Sequence, residues 1–188
     1  MQIRMLRLMS AMLMLAVVLL LQQTPAHAQL MRPEEVVKIT TALPRTGFNP
    51  GEVFQAALIL DIVEGYHLNA HTVRDPAMIP TDLQIPEDSP VKFQFVRYPE
   101  DQSKDGVPVP GYHDDQYHEQ VMIRLIGRIP ADAEIGTLKV RLVVRYQTCT
   151  DTVCLYPYGM ATDLEIPIVA PGTKVEEINK EIFGDPGN

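Results

Sequence analysis

Apolar and polar residues alternate along most of this 188-residue chain with the two-residue period of β-strands, and the pattern changes only near its two ends. Residues 34–43 predict a first strand, with Val37, Ile39 and Thr41 on one face and Val36, Lys38 and Thr40 on the other. Asn49-Pro50-Gly51 marks a turn. Residues 52–63 predict a second strand that is apolar on both faces, with Phe54, Ala56, Leu58, Leu60 and Ile62 opposite Val53, Ala57 and Ile59. Such a strand belongs at the centre of a sheet.

After Glu64-Gly65, residues 66–70 predict a short strand, and residues 75–81 an irregular corner whose two prolines have no place inside a ladder. Further strands are predicted over 83–85 and 91–98. The polar stretch 99–111, with Pro108 and Pro110, reads as a long loop of the kind that often carries function. Two strong strands follow at 117–129 and 135–146, and a last one at 162–169. Eight or nine short strands with almost no helical periodicity predict an all-β fold, an immunoglobulin-like antiparallel β-sandwich. The chain has no Trp, so the buried Trp of antibody domains has no counterpart.

The ends depart from alternation in different ways. Thr173-x-x-Glu176 fits a capping box, and Val175, Ile178 and Ile182 recur at helical spacing, so a short C-terminal helix is expected within a tail over 171–188. At the other end, Arg4 and Arg7 precede an uncharged apolar run over 8–21, and Ala26-His27-Ala28 is a small-x-small cleavage site. Residues 1–28 therefore read as a signal peptide cut before Gln29. The apolar run is short against the ~20 residues of a bilayer span, which disfavours a retained anchor. No Cys follows it to accept a lipid. The expected domain is residues 29–170, exported to the periplasm.

Charge and cysteine content narrow the function. Without its signal, the chain carries 14 basic against 24 acidic residues, a net charge of −10. An acidic surface argues against nucleic acid and anionic membranes as partners, and no cofactor motif is present. Export puts the two cysteines, Cys149 and Cys154, in an oxidising compartment where a pair is expected to join. They lie in the stretch Tyr146-Gln147-Thr148-Cys149-Thr150-Asp151-Thr152-Val153-Cys154-Leu155-Tyr156-Pro157. If one ends a strand and the other begins its antiparallel neighbour, their Cα atoms fall about 4.5 Å apart, a separation that permits a disulfide.

A bond closing so short a loop stabilises by roughly 2 kcal/mol, against ~4.7 for a loop of a hundred residues. The small gain leaves room for a redox role, although many hairpins carry inert bridges. Metal binding is the weaker alternative. The sequence offers His67, His71, His113 and His118 besides the thiols, but no Cys/His spacing matches a zinc or blue-copper set.

Taken together, Tyr146-Gln147-x-Cys149, Cys154-x-x-Pro157, Gly65-Tyr66-His67-Leu68-Asn69 and the Ile79-Pro80-Thr81 corner resemble the amino-terminal periplasmic domain of the DsbD thiol:disulfide interchange proteins. The resemblance runs from about residue 36 to 169. It implies an immunoglobulin-like sandwich whose cysteines pass electrons from a membrane-embedded or thioredoxin-like donor to disulfide-containing periplasmic acceptors, as in cytochrome c biogenesis. Cys149 and Cys154 would be the redox pair, with Cys154 attacking the acceptor and Cys149 resolving.

The family shields its pair with an acidic, aromatic cap loop. His113-Asp114-Asp115-Gln116-Tyr117 resembles it, with Tyr117 as the lid. Asp114, Asp115 and Asp151 would raise a nearby thiol's pKa. Tyr66, His67 and Asn69 correspond to the region beside the family's cysteines, placing them to tune the thiols or contact a partner. Two departures stand out. The best-known members separate their cysteines by five residues where this chain has four, and they continue into membrane and thioredoxin-like domains where this sequence ends at Asn188. The expected reductant is therefore a separate protein. The alternative is a non-catalytic binding or assembly module with a structural hairpin disulfide.

Overall fold

Strands that bury every second residue must find a second layer to bury it against, and this chain supplies two. The structure, a computed structural model, describes residues 30–100, 112–113 and 115–184. The expected signal peptide, Asp114 and most of the 99–111 loop lie outside the described residues. Eleven strands are described: β1 (Val37–Ala42), β2 (Val53–Ile62), β3 (His67–Asn69), β4 (Asp82–Gln84), β5 (Lys92–Arg97), β6 (Tyr112–His113), β7 (Gln116–Tyr117), β8 (Gln120–Arg128), β9 (Gly136–Tyr146), β10 (Thr148–Cys149) and β11 (Tyr158–Ile168).

They form three antiparallel sheets in the orders β1-β2-β8-β5, β11-β9-β4 and β10-β3-β7-β6. The first two are the layers of an immunoglobulin-like β-sandwich. Val121, Ile123 and Leu125 of β8 and Phe54, Ala56, Leu58 and Leu60 of β2 share one core with Val140, Leu142 and Val144 of β9 and Leu164 and Ile166 of β11. Each of these larger side chains, fully buried, contributes about 1.5–3 kcal/mol. As its two apolar faces require, β2 is central, flanked by β1 and β8.

The third sheet positions the cysteines. β9 ends at Tyr146, whose buried ring donates its hydroxyl to the Pro33 carbonyl at 3.1 Å. One residue later the chain joins a different sheet, where β10 pairs with β3. Gln147 is the joint between the sandwich and the cysteine hairpin.

Several elements differ from their sequence pattern. Residues 33–36 form one turn of helix, α1 (Pro33–Val36), instead of extending the first strand. Proline opens the turn, and the Glu35 carboxylate accepts the Arg32 amide N–H at 3.1 Å. The strand predicted over 117–129 breaks at Glu119, which has φ 56. The last strand begins earlier, because Tyr158 already pairs with Tyr146 and Gly159 with Arg145.

The C-terminal helix is present only as α2 (Lys180–Phe183), and the capping box at Thr173 does not start it. Instead Thr173 closes a turn on the Ala170 carbonyl, and residues 176–178 run beside 44–46. There Thr46 N–H donates to the Glu176 carbonyl at 3.0 Å and Ile178 N–H to the Pro44 carbonyl at 2.9 Å. A lone helix of that length is marginal in water, so the backbone partners waiting on 44–46 win. Among the described residues no helix is long and apolar enough to cross a membrane.

Candidate functional site

Thr150 makes the cysteine turn. Its hydroxyl oxygen accepts the amide N–H groups of Thr152 at 3.3 Å and Val153 at 3.2 Å, a side-chain cap that Thr commonly supplies to a tight turn. The backbone closes around it: Thr150 N–H donates to the Val153 carbonyl and Leu155 N–H to the Thr148 carbonyl, both at 2.8 Å. Cys149 and Cys154 are the directly opposed pair between these two bonds, an arrangement the spacing permits. They are joined by a disulfide, with Cα atoms 3.9 Å apart. The two cysteines differ in exposure: Cys149 is buried at 2% and Cys154 lies at the surface.

Strand register then lines up a row of chemistry. Cys149 pairs with His67 on β3, and the pairing of Leu68 with Tyr117 carries the next position to His118. Directly opposed residues project from the same face. Cys154, Cys149, His67 and His118 therefore form one line across the sheet edge, and the two imidazole centroids lie 5.4 Å apart. The alternate row, Thr148, Leu68 and Tyr117, points the other way and is wholly buried.

The remaining expected residues fall into supporting positions. Tyr117 does not share the disulfide's face. Its ring belongs to the core, and its hydroxyl donates to the Pro99 carbonyl and accepts the His71 N–H, each at 3.1 Å. Asp115 lies three positions along β3 from the row, about 10 Å at the rise of a strand. There its carboxylate takes the Arg74 amide at 3.2 Å and the Arg74 guanidinium at 3.3 Å, and it fixes the chain after β3. Tyr66 is half-buried and accepts the Met31 N–H at 2.9 Å through its hydroxyl.

Asn69 is closer to the chemistry than its position suggests. Its amide donates to the Ile79 carbonyl at 3.0 Å and to the Gln147 side-chain oxygen at 3.2 Å, and Gln147 in turn donates to the Leu155 carbonyl at 3.1 Å. This thread ties the proline corner to the residue after Cys154. Gln147 and His118 are the residues whose roles the sequence leaves unassigned. The signal for His118 was strand register, which places it opposite His67 once β3 and β7 are paired.

Electrostatics single out His67. Its burial, and then the neighbouring His118, hold the imidazole below its usual pKa, while Asp151 in the turn opposes them. The ring is therefore neutral at pH 7 beside the oxidised pair. Because the folded value lies below the unfolded one, the unfolded chain takes up the proton first as pH falls. Stability from this group is complete above about pH 6.5 and is lost as pH falls through the folded value. Urea midpoints of the oxidised protein are expected to fall between pH 7 and 5, and less steeply in His67→Asn. Parallel profiles in the two proteins would refute it. Among the described residues, no group of three or more metal-ligating side chains stands together.

The chain matches no protein-family model, and no curated protein matches it. Among solved structures it is similar to AggA, the major subunit of aggregative adherence fimbriae type I from Escherichia coli. That likeness has a TM-score of 0.32 and 10% identity, over 71% of this chain and 94% of the other. So loose a match carries no functional argument.

Proposed function

We propose that this protein is a periplasmic thiol–disulfide interchange domain whose Cys149–Cys154 pair passes electrons to partner disulfides. The observation that carries the reading is the unequal exposure of two bonded cysteines in one short hairpin, Cys154 at the surface and Cys149 buried. The resemblance of the cysteine, Gly65–Asn69 and corner motifs to the DsbD amino-terminal domain supports the same assignment.

The exchange runs through the exposed sulfur. A donor thiolate attacks Sγ of Cys154, the disulfide breaks, and Cys149 leaves with the electron pair as a thiolate. The donor's second thiol then releases Cys154. In the forward direction the Cys154 thiolate attacks an acceptor disulfide, and Cys149 attacks the resulting mixed disulfide to restore the intramolecular bond. The donor is a membrane-embedded or thioredoxin-like dithiol protein and the acceptor a disulfide-containing periplasmic protein.

The reduction potential tests this. Equilibration against glutathione or dithiothreitol is expected to place the pair above about −300 mV, outside the range of structural bonds. A value below that would leave an inert staple in a binding or assembly module and overturn the interchange reading.

A further inference from the structure

We propose that His67 is the proton-carrying partner of Cys149, taking up a proton as the disulfide opens and holding the Cys149 sulfur as a thiolate beside an imidazolium. The inference rests on the interchange reading and adds to it the group that makes Cys149 a good leaving sulfur. Three observations place His67 in this role. It is the direct cross-strand partner of Cys149, a relation that sets Cβ atoms about 4.5–5.5 Å apart. Cys149 is buried, as is His67, so an unpaired charge created on Cys149 would be costly without a partner. No hydrogen bond to its ring nitrogens is found among the described residues, so the unprotonated nitrogen of the neutral ring is open to a proton.

The proton and electron balance is simple. The donor thiol gives up its proton on attack, and its sulfur bonds to Cys154. The disulfide's electron pair goes to Cys149, and one proton ends on His67, which was neutral in the oxidised state. When the second donor sulfur displaces Cys154, that thiolate takes its proton from solvent. Two electrons and, through solvent and His67, the balance of two protons have then passed from the donor to the Cys149/Cys154 pair, and nothing else is consumed. On reoxidation the Cys149 thiolate attacks, and His67 returns its proton to the departing acceptor thiolate.

The charged and titratable groups facing His67 set how strongly it holds the proton. His118 on the far side opposes the imidazolium, Asp151 in the turn favours it, and Cys149 changes from a neutral bridge sulfur to an anion. Before reduction the balance leaves the ring neutral. After reduction a thiolate sits directly across the strand, and the balance reverses. His67 is a positioning and proton-holding residue, acting on the sulfur that a partner never touches.

The test uses the full chain with Cys154→Ser, so that Cys149 is the single thiol. Its thiolate absorbance near 240 nm is followed against pH with His67 present and with His67→Gln. The Cys149 midpoint is expected to rise by about one unit or more when His67 is removed, the effect of losing a nearby opposite charge. It is expected to stay or fall when His118→Gln removes the opposing ring. An unchanged midpoint in His67→Gln overturns the proposal.

Should that variant fail to fold, the chain with both cysteines answers separately. The His67 ring, followed by proton resonance, is expected to stay protonated to higher pH after reduction by dithiothreitol, and an unmoved titration overturns the proposal. Both measurements use chemically reduced protein without a partner. Their failure is thus distinct from a low reduction potential, which would overturn the interchange reading instead.

Discussion

Cys149→Ser is expected to trap a partner as a mixed disulfide at least about ten-fold more efficiently than Cys154→Ser, and both variants are expected to lose catalytic exchange. The asymmetry follows from access. With Cys149 replaced, the remaining thiol is the exposed one, it can attack an acceptor, and nothing is left to resolve the adduct. With Cys154 replaced, the remaining cysteine is a residue 2% exposed, and a partner's sulfur must reach in beside His67 to meet it. Affinity capture from periplasmic extract, released by dithiothreitol and identified by mass, checks the order. Equal or reversed yields would refute the assignment of Cys154 as the contacting sulfur, and no adduct with either variant would count against interchange altogether.

Tyr117→Ala is expected to cost about 3–5 kcal/mol of stability, because it empties a large ring from the middle of the core. Tyr117→Phe is expected to cost about 1–2 kcal/mol, since it removes the hydroxyl that joins the Pro99 carbonyl to the His71 amide. Urea denaturation with unchanged slope reads both losses. A lid over the disulfide would behave otherwise: its truncation would leave stability near wild type and speed the reaction of Cys154 with a small thiol reagent. That pattern would place Tyr117 at the surface and refute its core position.

Much of this molecule could be read from alternation alone. The central place of β2 follows from its apolar residues on both faces, and β8 and β9 from their long alternating runs. The opposed cysteines are one arrangement that their spacing, with four residues between them, permits. What could not be read depends on pairing between distant segments. Thr173 looks like a helix cap until residues 44–46 offer backbone partners for Glu176 and Ile178. Tyr117 looks like a lid next to an acidic cluster, but register against Leu68 turns its ring inward. His67 stands out in the sequence only through a motif resemblance, whereas the line it forms with Cys149 and His118 exists only once three strands are in register.

The place of Cys154 in its sheet bears on self-association. An open strand edge invites a second chain to continue the ladder, and an exposed cysteine on such an edge would invite covalent dimers as well. Here the outer edge beside β10 carries a single bridging residue, and Pro157, three positions on, has no amide N–H to give. So short a rim gives a neighbour copy little ladder to extend. On the interchange reading, such an edge would let a sulfur meet a foreign protein with little backbone beside it to recruit the protein's own kind.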